Sequence, residues 1–441
     1  MSRSEHNDAG IKGVRLTMGK LLCFVLDVLF FGVFGKFINT YLTIGMVTRE
    51  ALRVLVNNLA AAKHVNREYD DKFGIEGAKI GTVLNIRRPP RYLTALGQAL
   101  QIEDATETSV PLILNVQRHL GLAFGSQDLA LSIDDFSKRF VRPGIATLAN
   151  FVDFDVLGQY LNVFNEIGTP GTVPNLALTY LQAGQRLSEM AVPFEDRCVV
   201  ISPGMNAVIV DALKGLFQAS DRIKEQYDKG MMGEGLGFDW YLDQNVRVQT
   251  VGAYAGGTGP QVNGAGQNGS VINTNGWPNG PILNQGDIIS FAGSFAVNPQ
   301  NRQPTQSLAQ WVVTQPVIAA GNAAAIPIAG PSGNGLITAG PFMNASASPA
   351  NAAAVTVQGA SGTGPTSRAL AFHPDAFTLG MADLVLPGGV DIAERAASKE
   401  LAASIRLVRA YDINQDRFPF RADVLYGVAT LYPELACRIT A

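Results

Sequence analysis

Four short stretches of this chain spell patterns that support chemistry in other settings. Gly264-Ala-Gly266-Gln-Asn-Gly269 matches the dinucleotide-binding fingerprint letter for letter. The fingerprint works after a strand and at a helix start, where backbone amides and the helix dipole meet a pyrophosphate. Asn, Gly and Ser surround it here and no helical pattern follows, so no cofactor is expected. Asp412-x-Asn414-x-Asp416 opens like a calcium loop. Such a loop needs Gly at its sixth position and a bidentate Glu at its twelfth; this chain has Arg417 and Asp423, which favours a hairpin turn. The carboxylate pairs Asp70-Asp71 and Asp134-Asp135 could do acid-base work. The first reads better as a solvated loop after a helix, and the second as a helix cap that complements the dipole.

Nucleophiles and metal ligands are scarce. Cys23, Cys198 and Cys437 lie far apart without paired spacing, which excludes a disulfide scaffold or zinc ribbon and fits a reducing compartment. Cys198 in Val-Val-Ile company reads as an inert core thiol. The four histidines are His6, His64, His119 and His373, with no i, i+4 pair, and His373 before Pro374 reads as structural. No lysine follows a glycine-rich loop in phosphate-binding spacing. The expectation is no enzyme, no cofactor and no metal. The densest basic cluster is Arg87-Arg88-Pro-Pro-Arg91. It could touch phosphate, pair with carboxylates of a neighbouring subunit, or end a strand in solvent; Arg87, Arg88 and Arg91 are the candidate inter-subunit contacts.

Composition narrows the classes further. Only 16% of the 441 residues are charged, against about 25% in an ordinary soluble protein. Apolar residues make up 47%, enough for a large core, so global disorder is excluded. A formal charge of -3 and a pI near 5.9 exclude gripping nucleic acid by bulk charge, because counterion release needs many clustered cations.

The elements that must position these residues follow from periodicity. Thr48 is a good N-cap for a helix over Arg49 to Tyr69, with Leu52, Leu55, Leu59 and Ala62 on one face. Strand patterns at Thr82 to Arg87 and Val110 to Gln117 flank a polar stretch from Tyr92 to Ser109, an interruption long enough to be a functional arm. Ile145, Leu148, Val152, Val156, Tyr160 and Val163 step by three and four, predicting a long helix that ends before Gly168. Further helices are expected at Asn175 to Met190 and Met205 to Phe217, with a buried strand at Arg197 to Ser202. Between Val251 and Ser367 only Asp287 and Arg302 are charged. Short apolar alternations there, with Ile288, Phe291, Trp311 and Val313 and Asn-Gly turns, favour a small β domain over low complexity. Mixed αβ text on both sides implies one domain interrupted by an insertion. Strand patterns return at Ser404 to Tyr411 and Phe418 to Ala429.

The N-terminus carries a basic stretch and then an apolar run, Leu21 to Phe34, interrupted by Asp27. A bilayer span needs about twenty apolar residues. Three readings stay open: an anchor or signal, a packed helix, or translation assigned from too far upstream. Residues 1 to about 37 are expected to be absent from the mature protein, which an intact-mass measurement decides.

Several long blocks together resemble the P22-type major coat proteins of tailed bacteriophages. They are Asn39 to Leu55, Leu131 to Arg139, Asp211 to Gln218, Gly286 to Gly293, Val408 to Asn414 and Arg421 to Ile439, in the family's order. The resemblance implies an α+β, HK97-like capsid fold with an inserted β-rich domain. By that resemblance, residues 1–38 are an N-terminal extension and 39–81 an N-terminal arm. Residues 82–130 form an extended loop with peripheral strands, and 131–168 a peripheral domain with a spine helix, Ile145 to Ile167. The axial domain takes 169–246, the insertion 247–369, and the second axial part with C-terminal peripheral strands 370–441. The implied function is a self-assembling icosahedral shell around the double-stranded DNA of a phage or prophage. Implied partners are further copies in hexamers and pentamers, with scaffolding and portal proteins, and no membrane. The implied location is the virion, after assembly in the host cytoplasm. An encapsulin-like compartment shell and a membrane-anchored surface protein are the alternatives.

Overall fold

The computed structural model describes residues 44–67, 83–92, 107–125, 142–213, 233–398 and 403–441, with single positions between 94 and 102. Thr48–Ala441 form one compact unit; of the other, Met1–Val47, only the start of helix α1 is described. The apolar run at Leu21 to Phe34 and both carboxylate pairs, Asp70-Asp71 and Asp134-Asp135, lie outside the described residues. No helix among the described residues is long and apolar enough to cross a membrane.

Helix α1 spans Ile44–Asn58. Its start corrects the N-cap assignment: Thr48 sits inside the helix, buried, and its hydroxyl donates to Glu394 Oε2 at 3.3 Å. Leu52 and Leu55 are buried at the predicted spacing. The helix also stops well short of Tyr69, because a carboxylate competes for the next backbone amides. Asp153 accepts from Ala60 N and Ala62 N, each at 2.7 Å. Asp153 belongs to helix α2, Arg142–Leu157, on the same face as the buried Ile145, Leu148, Val152 and Val156. The predicted long helix therefore ends early. It tightens into a 3-10 turn at Gly158–Asn162 and becomes strand within a few residues. Gly158 is where the Arg247 guanidinium packs, 2.8 Å from where a Cβ would lie. Pairing of the following residues with the C-terminal strand overrides the helical periodicity.

The strands in chain order begin with β1 Val83–Arg88, β2 Thr108–Ile113, β3 Val116–Gly125 and β4 Glu166–Gly168. The stretch predicted as one strand, Val110 to Gln117, is thus broken at Leu114-Asn115 into β2 and β3. Helix α3, Ala177–Glu189, is followed by β5 Cys198–Ile201 and helix α4, Pro203–Leu213. Then come β6 Glu234–Gly235, β7 Phe238–Leu242 and β8 Arg247–Gln249. The charge-poor stretch supplies β9 Gln261–Val262, β10 Val271–Asn275, β11 Gly280–Leu283, β12 Ile288–Val297 and β13 Pro304–Val313. It continues with β14 Val317–Ala319, β15 Ala323–Ala329 and β16 Val355–Val357. The chain closes with β17 Thr366–Phe372, β18 Phe377–Ala382, β19 Ile392–Ser398, β20 Ala403–Arg409, β21 Arg417–Thr430 and β22 Ala436–Thr440.

Three larger sheets result. One runs β4-β22-β17-β5-β7-β6, with β8 also paired to β17; its β4/β22 and β5/β7 pairs are parallel. The second, β16-β12-β13-β15-β10-β9, is antiparallel and comes from the charge-poor stretch. The third runs β18-β21-β20-β19, and β3 lines β21 from Arg417 to Tyr426. A continuous buried cluster joins the first two sheets, from Tyr180 and Trp240 through Ala371 and Ile439 to Ile288, Phe291 and Trp311. These apolar strands are why a sequence stretch nearly free of charge still folds.

Asp153 has a measurable consequence. Burial pushes its carboxyl up to about 7, reinforced by Asp243 and opposed by the two amides and Arg67. The folded value lies above the ordinary one near 3.8, so the folded chain holds this proton more tightly than the unfolded chain. Its contribution is complete below about pH 4 and is lost as pH rises toward about 7. Urea unfolding at pH 5 and pH 8 should show the wild-type chain losing more stability than Asp153→Asn over that interval. Equal pH slopes in the two proteins would contradict the assignment.

Candidate subunit interface and the joint behind it

The arm begins as a two-stranded antiparallel ribbon, β1 on β2, with Val83 opposite Ile113 and Arg88 opposite Thr108. Alternation sends Ile86 and Leu112 inward, where they pack with Leu114, Ala429 and Leu431. The opposite edge stays in solvent. Beyond the ribbon, Leu100 and Ile102 are 87% and 86% exposed. Apolar side chains so placed are almost fully open to solvent.

The basic cluster divides its work. Arg88 donates to the Ser332 carbonyl at 2.8 Å and lies over the Tyr432 ring. Arg91 pairs with Glu434, whose carboxylate also accepts from Ser332 N at 2.9 Å and Ser332 Oγ at 3.2 Å. These two arginines tie the root of the arm to the Pro433–Leu435 turn and to the Pro331–Gly333 turn. Arg87 differs: its side chain is 82% exposed, and its ion pair with Glu107 at 3.5 Å is itself exposed. Pairs of that kind contribute about 0–1 kcal/mol. Arg87 is the most exposed of the three arginines of the cluster.

Gly427 sets how closely β21 and the arm approach. A Cβ there would collide with the Ile113 carbonyl and lie 3.1 Å from Leu114 Cα. Gly427→Ala should cost about 1–3 kcal/mol in denaturant unfolding, the usual penalty for overpacking backbone. An unchanged midpoint would show that the arm root shifts freely.

Behind the arm lies a buried ionic joint. Glu166 on β4 accepts from Thr440 Oγ1 at 2.6 Å and lies 3.6 Å from Arg438 Nη1 and 3.9 Å from Arg368 Nη1. Arg438 is fully buried, stacks toward Tyr160, and donates to the Gly286 carbonyl at 2.6 Å. Burial pulls its guanidinium down to about 10, while Glu166 opposes that shift. Gln310 on β13 completes the joint with reciprocal bonds to Glu166: its Oε1 accepts from Glu166 N at 2.9 Å, and its Nε2 donates to Glu166 O at 3.0 Å. Nearby, Asp287 accepts from Gln249 Nε2, Gly252 N and Asn284 N at 2.8–2.9 Å. This fastens the entry strand of the charge-poor stretch. Sequence reasoning missed Glu166 and Arg438. The signal was present as single charges inside apolar text, Phe164-Asn-Glu-Ile167 and Ala436-Cys-Arg-Ile439.

The motif candidates fall elsewhere. Gly264, Gly266 and Gly269 all have positive φ in the loop between β9 and β10. Gln267 fills that loop, donating to the Asn263 and Asn273 carbonyls and accepting from Asn273 N at 2.7 Å. Asp412 bridges to Arg417 in the turn between β20 and β21, as a hairpin requires. Cys198 and Cys437 are buried, and burial pushes their thiols up, Cys437 to about 12. Thiols so shifted are poor nucleophiles. His373 Nδ1 accepts from Asp375 N at 3.3 Å and caps a 3-10 turn. Among the described residues no cluster of His, Cys, Asp or Glu could hold a metal.

The architecture combines α and β elements, with a β-rich stretch set between two parts of one sheet and an arm rooted at the Pro433–Leu435 turn. Residues 274–438 match the family model described as P22 coat protein - gene protein 5. No curated protein matches the sequence. Solved structures similar to it include one from Mycobacterium phage Che8, 12% identical, covering 86% of this chain and 90% of that one at a TM-score of 0.44. The capsid of Cyanophage P-SCSP1u is 11% identical over 86% of both chains at 0.43. The mature capsid of bacteriophage PhiM1 is 10% identical over 82% of both at 0.40.

Proposed function

We propose that this chain is a major coat protein that assembles with copies of itself, as hexamers and pentamers, into the shell of a tailed, P22-like phage or prophage. The enclosed molecule is double-stranded DNA, held without sequence-specific contacts. Scaffolding and portal proteins are its assembly partners. The observation that carries the reading is the arm. Arg88 and Arg91 fix its root within the subunit, while Leu100, Ile102 and Arg87 stay exposed. Hundreds of such subunits in solution would carry adhesive patches, which soluble proteins avoid beyond a few hundred Å². Burial against a neighbouring subunit removes that exposure, and Arg87 then faces a carboxylate of the neighbour.

The division proposed is an arm over 39–81, an extended loop over 82–130 and a peripheral domain over 131–168. An axial domain from 169–246 and 370–441 then surrounds the insertion at 247–369. The acidic balance of the chain, -3 overall, suits a wall that encloses DNA without adhering to it. Sedimentation velocity of the purified protein, alone and co-expressed with its scaffolding partner, tests the reading. Fast-sedimenting particles of uniform size are expected with scaffold, and a distribution confined to monomer under every condition would contradict it.

A further inference from the structure

A strand at the border of a sheet presents a row of unpaired amides and carbonyls. Folded chains guard such rows with short strands, charges, bulges or a covering segment. Among the described residues, the borders of the three larger sheets are guarded in this way with one exception. On β4, the Gln310 amide takes both backbone groups of Glu166, and the Gly168 carbonyl accepts from Gln358 Nε2 at 2.7 Å. Strands β6 and β16 are only two and three residues long. Val262 on β9 donates to the Ala353 carbonyl and accepts from Ala352 N. Asn66 covers β18, donating to the Phe377 carbonyl and accepting from Leu379 N. Strand β19 carries Glu394 and Arg395.

The exception is β3. It pairs with β21 residue for residue, from Val116 opposite Tyr426 to Gly125 opposite Arg417, without a bulge. None of its residues is buried, and Gln117, His119, Gly121 and Ala123 are exposed on one face. The strand contains no proline, lysine or carboxylate. Its one permanent charge, Arg118, is turned toward α2. There Nη2 donates to Asp155 Oδ2 and Nε to the Tyr426 hydroxyl, each at 2.9 Å, and the guanidinium lies over Phe151. Among the described residues, nothing bonds the backbone of Val116 to Ala123 on the side away from β21.

We propose that the free edge of β3 pairs antiparallel with β3 of a second copy across a two-fold axis, so that the sheets of both copies run into one. The proposal rests on the self-assembly reading above and deepens it. Hexamers and pentamers are rings of head-to-tail contacts, and a separate contact must link one ring to the next. Two features favour a second copy as the occupant. An identical edge satisfies both rows of backbone groups at once, whereas a lone strand from another protein brings a second edge that needs cover. Pairing about Leu120 sets Gln117 opposite Ala123, His119 opposite Gly121 and Arg118 opposite Leu122, so no like charges meet. The same register keeps the exposed faces of both sheets on one side.

Gly121→Lys in the full chain puts a guard on the edge. A Cβ at Gly121 meets nothing within 4 Å, so the isolated subunit should melt at the wild-type temperature. The concentration needed for shell formation should rise about tenfold or more. The double variant Gln117→Cys/Ala123→Cys reads the pairing itself. Opposite residues of paired strands lie about 4.5–5.5 Å apart, within disulfide reach, so oxidised shells should yield covalently linked pairs of chains. Within one chain the same positions are about 20 Å apart along the strand and cannot join. Shells of Gly121→Lys at the wild-type threshold, or oxidised double-cysteine shells that run as single chains on a non-reducing gel, would overturn the proposal and leave self-assembly standing. If the Gly121→Lys subunit melts early, the cysteine pair decides alone. A wild-type chain that forms no shells overturns the self-assembly reading, and the proposal with it.

Discussion

Glu166→Gln should remove about 3–5 kcal/mol of stability, because it leaves two buried guanidinium groups facing one neutral amide. Glu166 and Arg438 are almost fully buried, and Arg368 beside them is 2% exposed. Arg438 Nε and Nη2 and Arg368 Nε already lack acceptors, and Asp287, the other carboxylate acting on Arg438, is engaged by Gln249, Gly252 and Asn284. A loss of that size is a large share of the 5–15 kcal/mol that holds a typical domain together. Arg438→Met should cost less, since Arg368 stays to balance Glu166 and the methionine fills the space beneath Tyr160. The two changes should be non-additive, as expected for residues that share one network. Chemical denaturation of the assembly-incompetent subunit gives all three numbers. Equal, additive losses would show that the joint is a set of separate contacts.

Deleting residues 92–107 should leave a folded subunit that forms no shells. The ribbon's buried residues, Ile86, Leu112 and Leu114, stay in place after that deletion, so the arm root keeps its packing. What disappears is the end that carries Leu100 and Ile102, both exposed to solvent, and the exposed Glu107 partner of Arg87. Far-ultraviolet circular dichroism should match the full chain, while sedimentation shows monomer only. Deletion proteins that still close into normal particles would contradict the role given to the arm.

Much of the fold was legible because its signals are local. Apolar spacing of three and four located α2, a continuous apolar run located β5, and strand patterns located β20 and β21. The turns at Asp412 to Asp416 and around Gly264 were legible from their composition. The errors share one cause: tertiary partners that local periodicity cannot see. Asp153 captures the amides of Ala60 and Ala62 and shortens α1. Parallel pairing of Glu166 to Gly168 with Arg438 to Thr440, across more than half the chain, ends the long helix early. At the candidate interface the arginine cluster was visible as a charge run, but its division was not. Glu434, which fixes Arg91, and Ser332, which fixes Arg88, lie hundreds of positions away.

Electron cryomicroscopy of the particles formed when this protein is expressed with its scaffolding partner tests the central claim most directly. Closed shells with icosahedral symmetry are expected, with density for each arm continuing from β1 and β2 onto an adjacent subunit. Open aggregates, uniform monomers, or closed shells in which every arm lies folded on its own subunit would contradict the account.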